Sequence, residues 1–239
     1  MMACDAQNPG GRFRAGRQLA ISALLLALVM FLFEYTGLDF QISDNFYDGT
    51  AWIVDADQPV TRFFFYDLPR WLLIAYGSSL CILFLLSFVL KPCEKFRTRR
   101  ILFIILCAIL IPLTVGTGKK ISNVYCPYQL TEYGGTKPHL WPFQERVSGD
   151  SGKCFPAGHA SAGFALLLFI PLARTRKGMI TATVGAMAAG WIMGGYQMLN
   201  GRHFLSHTLV TMLLSWIIVC LLYFLVMESR LLKGNWLKS

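Results

Sequence analysis

Six apolar runs, at 19–34, 71–90, 101–118, 155–173, 179–199 and 206–227, set the limits on how this chain can fold. Most approach the ~20 residues needed to cross the hydrocarbon of a bilayer. In lipid every backbone N–H and C=O must find a partner within the protein, so each run reads as a helix. Only 15% of the 239 residues are charged and 55% are hydrophobic, whereas a soluble domain carries about 25% charged residues. The first run lacks a small-residue cleavage site behind it, so it reads as a retained span and not as a signal peptide. The expectation is an all-α membrane protein, a six-transmembrane-helix bundle. Residues 1–16 form a polar tail and 17–239 a single integral-membrane domain with no linker.

The connections between runs fix an expected orientation. Fourteen of the 22 basic residues fall on one side: Arg12, Arg14 and Arg17 before the first run, and Lys91, Lys95, Arg97, Arg99 and Arg100 between the second and third. Arg174, Arg176 and Lys177 lie between the fourth and fifth, and Arg230, Lys233 and Lys238 in the tail. Lys and Arg favour cytoplasmic loops, so both termini are expected in the cytoplasm. Between the first two runs, Arg62 and Arg70 face six aspartates, Asp39, Asp44, Asp48, Asp55, Asp57 and Asp67, which places that segment outside. The net charge of +9 is thus a topology signal. It argues against a nucleic-acid partner, because the basic residues flank spans and do not form a stripe interleaved with aromatics.

Two outward segments remain, at about 37–70 and 119–154. The first mixes acids with aromatics (Phe40, Phe46, Tyr47, Trp52, Phe63 to Tyr66) and fits a helix or loop at the membrane interface. The second contains Pro127, Pro138, Pro142 and Gly134-Gly135, so it is not one regular helix. Loops of such length are more often functional than idle. Cys126 and Cys154 lie in it, where an oxidising compartment would allow a disulfide; the alternative is two free thiols near the mouth. No Cys/His spacing matches a zinc site.

All four histidines lie in or beside outward segments, either the long loop of 119–154 or a short one around Asn200–His203. His159 belongs to Phe155-Pro-Ala-Gly-His159, where Pro and Gly open an apolar helix, and a helix start favours an anion. His203 and His207, in Asn200-Gly-Arg-His-Phe-Leu-Ser-His207, are four apart and share a helix face. Imidazole titrates nearest to working pH and serves as acid, base or nucleophile. Lys119 and Lys120 end the third run, where lysines either snorkel to headgroups or neutralise a phosphate. His139 has no evident task.

In this order the segments resemble the type 2 phosphatidic acid phosphatase superfamily of membrane lipid phosphatases. That pattern has Lys, six residues, Arg-Pro; then Pro-Ser-Gly-His; then Ser-Arg, five residues, His, three residues, Asp. Here Lys119 is followed by six residues and Cys126-Pro127, and Pro156-Ala157-Gly158-His159 matches the second block. His203 takes the third block's histidine, with Gln197 at its arginine and His207 at its aspartate. A second register would make Arg202 the arginine and His207 the nucleophile, but its spacing is one residue short.

The resemblance implies metal-independent hydrolysis of a lipid phosphate or pyrophosphate, such as undecaprenyl pyrophosphate, lipid A or phosphatidylglycerol phosphate, with no cofactor. It places the enzyme in a bacterial inner membrane with its site on the periplasmic side. His203 would be the nucleophile, His159 the proton donor and His207 the orienter, with Lys119, Gly158, Gln197 and Arg202 binding phosphate. Lys120, Lys153 or Arg146 would help replace the absent arginines. The alternatives are a weak or silent lipid-phosphate binder and a lipid phosphotransferase. A transporter would place ionisable groups at mid-span, which these runs almost lack.

Overall fold

The computed structural model describes residues 13–142, 144 and 151–229. Most of the tail, with Cys4 and Arg12, lies outside them, as do Arg146 and the basic residues Arg230, Lys233 and Lys238. The described residues are helical apart from loops and three isolated β-bridges, with no strand among them. Five helices are long and apolar enough to cross a membrane: α1 (Ala15–Thr36), α3 (Pro59–Leu86), α4 (Arg99–Ile121), α6 (Arg176–Leu199) and α7 (Leu205–Glu228). A short helix α2 (Leu38–Ser43) follows α1. The remaining apolar run forms α5 (Gly158–Leu172). Its middle turn, Ala165–Leu168, is tightened to a 3-10 helix, and at a 1.5 Å rise α5 covers only about 22 Å.

Local chemistry accounts for several boundaries. The Thr98 and Thr175 hydroxyls accept the backbone N–H of Ile101 and Gly178, capping α4 and α6. Gly37, at φ 62°, ends α1 in the left-handed conformation. The second span differs from expectation. It begins at Pro59, twelve residues before position 71, so residues 59–70 are the first turns of a long helix. Pro69 removes one N–H and crowds the preceding turn. The widened turn over Phe63–Asp67 absorbs this, so the proline does not end the helix.

In lipid, helices associate by close packing of small residues. Gly163 on α5 lies against the Ala189 backbone of α6, where an added Cβ would come within 2.6 Å. Gly190 and Gly194 of α6 are filled in the same way by Phe164 and Thr208. The main core joins Phe103, Cys107 and Ile111 of α4, Ala160, Phe164 and Leu167 of α5, and Val219 of α7. The outer faces of α1 and α3 expose Leu24, Phe31, Trp71 and Leu72, as a lipid-facing surface requires.

A second cluster closes one end of the bundle. Tyr125, Leu130, Tyr133, Leu140 and Phe204 pack there, with Phe40, Tyr47 and Trp52 against them. The Tyr133 hydroxyl donates to Asp44 at 2.9 Å. The loops are therefore one packed cap over the ends of α4, α5 and α7.

Candidate active site

Three chain segments meet beneath this cap. After α4, Asn123 turns the chain at φ 58°, and its side chain accepts the Gly152 N–H at 3.2 Å. The Cys154 N–H donates to Val124 at 2.9 Å, and the Ser122 hydroxyl to Phe155 at 2.6 Å. A Cys126–Cys154 disulfide closes the same junction, so of the two thiol states left open by the sequence the bridge is the one formed. This zipper brings the end of α4, with Lys119, to the start of α5, with Gly158 and His159. Lys119 Nζ lies 3.2 Å from where a side chain on Gly158 would begin. Glycine is what lets the lysine lie across the start of α5.

The third segment is the α6–α7 turn. The Gln197 carbonyl accepts the N–H groups of Arg202 (2.8 Å) and His203 (3.1 Å). Gly201 adopts φ 69° and lies flat against Trp52, where a Cβ would fall 2.2 Å from the indole. Its carbonyl accepts the Tyr128 N–H at 3.0 Å. The turn holds His203 at 2% exposure and leads into His207 at 3%.

The histidines form a row with His203 in the middle. Ring centroids are 5.9 Å apart for His159–His203 and 5.7 Å for His203–His207. His203 Nδ1 faces Cys154 Sγ at 3.5 Å. Its Nε2 is buried without a partner, as are His159 Nδ1 and His207 Nδ1. Burial holds the His203 imidazole well below its ordinary pKa, and the Lys119 charge adds to this. A neutral imidazole with an unpaired nitrogen is chemically able to act as a nucleophile. His207 makes no hydrogen bond to His203; it is packed between the Phe155 and Phe204 rings, at 5.2 and 5.4 Å.

Cys154, His203 and His207 also place three ligand atoms within 4.8 Å of one another. The sulfur is committed to the disulfide and offers no thiolate, so the set does not fit zinc, whose structural sites take four N/S ligands.

From His159 a cavity of about 620 Å³ runs between α3, α4 and α5. Tyr66, Arg70, Gly158 and His159 line one part of it, and Leu73, Ile104, Ile109 and Phe169 are among its apolar walls.

The family model described as the PAP2 superfamily matches residues 98–231, more than half of the chain. The chain belongs to the PAP2 superfamily. It is also 28% identical over 217 residues to the lipid A 4'-phosphatase of Francisella tularensis subsp. novicida (strain U112), covering 86% of this chain and 95% of that one. No solved structure matches.

Membership gives the departures from the superfamily pattern a structural meaning. Cys126, which the resemblance sets at the first arginine position, is half of the disulfide. Gln197, which the resemblance sets at the second, accepts the N–H groups of the His203 turn on its backbone carbonyl, a contact that does not depend on the side chain. Of the suggested replacements, Arg202 stacks over Tyr128 at 4.7 Å, and Lys120 and Lys153 are exposed. Two residues near the site were not singled out from sequence. Tyr66 packs on His159 with centroids 4.3 Å apart. Asp39, on α2 and 4% exposed, accepts the Ser206 N–H at 2.9 Å and the Ser206 hydroxyl, capping α7 one residue before His207. A helix start at Pro59 would have revealed the first; no short-range pattern reveals the second.

Proposed function

We propose that this protein is a lipid phosphatase that works through a phosphohistidine. The observation that carries the reading is the cavity of about 620 Å³ joining His159 to apolar walls between α3, α4 and α5. It suits a substrate with a phosphate at one end and a hydrocarbon chain at the other. His203 Nε2 attacks phosphorus while the bond to the lipid oxygen breaks, and His159 gives that oxygen a proton. Water then attacks phosphorus, the P–N bond breaks, and His159 takes the water's proton. Lys119, lying over Gly158, balances phosphate charge, and positioning with electrostatics supplies most of the rate. Arg202 adds charge from the turn, Gln197 holds that turn in shape, and His207 supports His203 by packing.

Six apolar helices among the described residues, counting the short α5, and the basic residues flanking α4 and α6 support a bundle with both termini in the cytoplasm. On that reading the capped end and its histidines face the periplasm of a bacterial inner membrane. The Francisella relative makes lipid A 4'-phosphate the first substrate to try. Phosphate release from a panel of lipid phosphates tests the proposal. His159→Ala and His203→Ala should each lose about 100-fold or more with an unchanged unfolding midpoint. Full activity in His203→Ala would sink the assignment.

A further inference from the structure

Arg62, Tyr66 and Arg70 are spaced four apart along α3 and share one helical face. The Tyr66–His159 stack turns that face toward the histidines. The two cations differ in their surroundings. Arg62 Nε is 3.7 Å from the Asp67 carboxylate, and its guanidinium lies 5.7 Å from the Tyr66 ring centroid. Arg70 has no carboxylate partner among the described residues; its guanidinium leans on the Trp71 ring at 5.9 Å. Arg70 lines the cavity together with His159 and Gly158.

A guanidinium without a counter-ion beside an apolar cavity is suited to an anion that arrives from outside. A phosphate monoester brings nearly two negative charges. Within the site Lys119 is one cation, Arg202 is spread over the Tyr128 ring, and positions 126 and 197 carry no charge. We propose that Arg70, which lines the cavity with Tyr66 and His159, forms a phosphate-binding subsite that grips the substrate's phosphate from the α3 side. It does the work that arginines at 126 and 197 would otherwise do. The subsite rests on the lipid phosphatase reading for the identity of its ligand, not for its chemistry as an anion site. The competing explanation is that Arg70 snorkels to bilayer headgroups.

Calorimetric titration with orthovanadate, in an uncharged detergent, separates these. Arg70→Ala should bind vanadate roughly tenfold or more weakly than wild type, and Arg70→Lys should recover part of the loss. With a lipid phosphate substrate, kcat/KM should fall by a similar factor. Vanadate affinity within twofold of wild type in Arg70→Ala would overturn the subsite, as would a wild type that binds no vanadate. An Arg70→Ala defect that appears only on adding anionic phospholipid would also overturn it, in favour of a headgroup anchor. Vanadate binding that depends on Arg70, in a protein that releases phosphate from no lipid, would remove the phosphatase reading and leave the subsite standing.

Discussion

Replacing Cys126 and Cys154 together by serine removes the covalent brace beneath the cap, and its cost can be worked from the structure. The bridge closes a loop across 28 residues of sequence. The loop-entropy relation gives about 3–4 kcal/mol for a closure of that size. At roughly 2–4 °C per kcal/mol for a chain of this length, the unfolding midpoint should fall by about 10 °C. A second effect is local. Cys154 Sγ packs 3.5 Å from His203 Nδ1 and 2.7 Å from the Arg202 carbonyl oxygen. Freeing the sulfur lets the α6–α7 turn shift, and a displacement near 1 Å at a reacting group can cost about 100-fold. The assay pairs a thermal unfolding scan in detergent with phosphate release at saturating substrate. Variants are preferable to reductant because Cys154 is fully buried. A double variant that keeps both the wild-type midpoint and the wild-type kcat would refute the claim that the bridge organises the site.

Gly201→Ala should lose both stability and activity. The left-handed backbone alone costs about 1–2 kcal/mol, and the new Cβ must also displace Trp52; a wild-type midpoint and rate would count against this account of the turn. Asp39 gives a pH signature. Burial raises its pKa from 3.8 to about 6, against the pull of its Ser206 hydrogen bonds. The folded state therefore holds this proton more tightly than the unfolded one, and stability falls as pH rises from about 4 to 6, by up to ~3 kcal/mol. Asp39→Asn should flatten that part of the midpoint-versus-pH curve, and an unchanged curve would show that the carboxylate ionises freely.

The bundle was legible because lipid leaves few choices. A long apolar run must be a helix, and five of the six were placed to within a few residues at most ends. The run expected at 71–90 began too late because the acids and aromatics of 37–70 read as an interfacial segment, while the helix runs back to Pro59 through a widened turn. The three motif-bearing segments were legible as well, since each pairs a polar cluster with a helix end. What joins them was not. The pairing of residues 123–124 with 152–154, the Trp52–Gly201 contact and the Asp39–Ser206 cap link positions far apart in the sequence, and no local periodicity encodes them. Only the cysteines hinted at the first, and they allowed two states.

This long-range framework bears on how the chain tolerates its departures from the superfamily pattern. A cysteine at 126 can be given to a disulfide, and position 197 can go without a charged side chain, only if charge reaches the phosphate by another route. The geometry offers one in α3, whose early start carries Tyr66 onto His159 and Arg70 into the cavity. The covalent brace and the α3 cation would then be two parts of one substitution: the first holds His203 without an arginine's help, and the second restores charge from a different helix. Under that logic, adding an arginine at 126 would not by itself raise activity, because it would break the bridge that packs against His203.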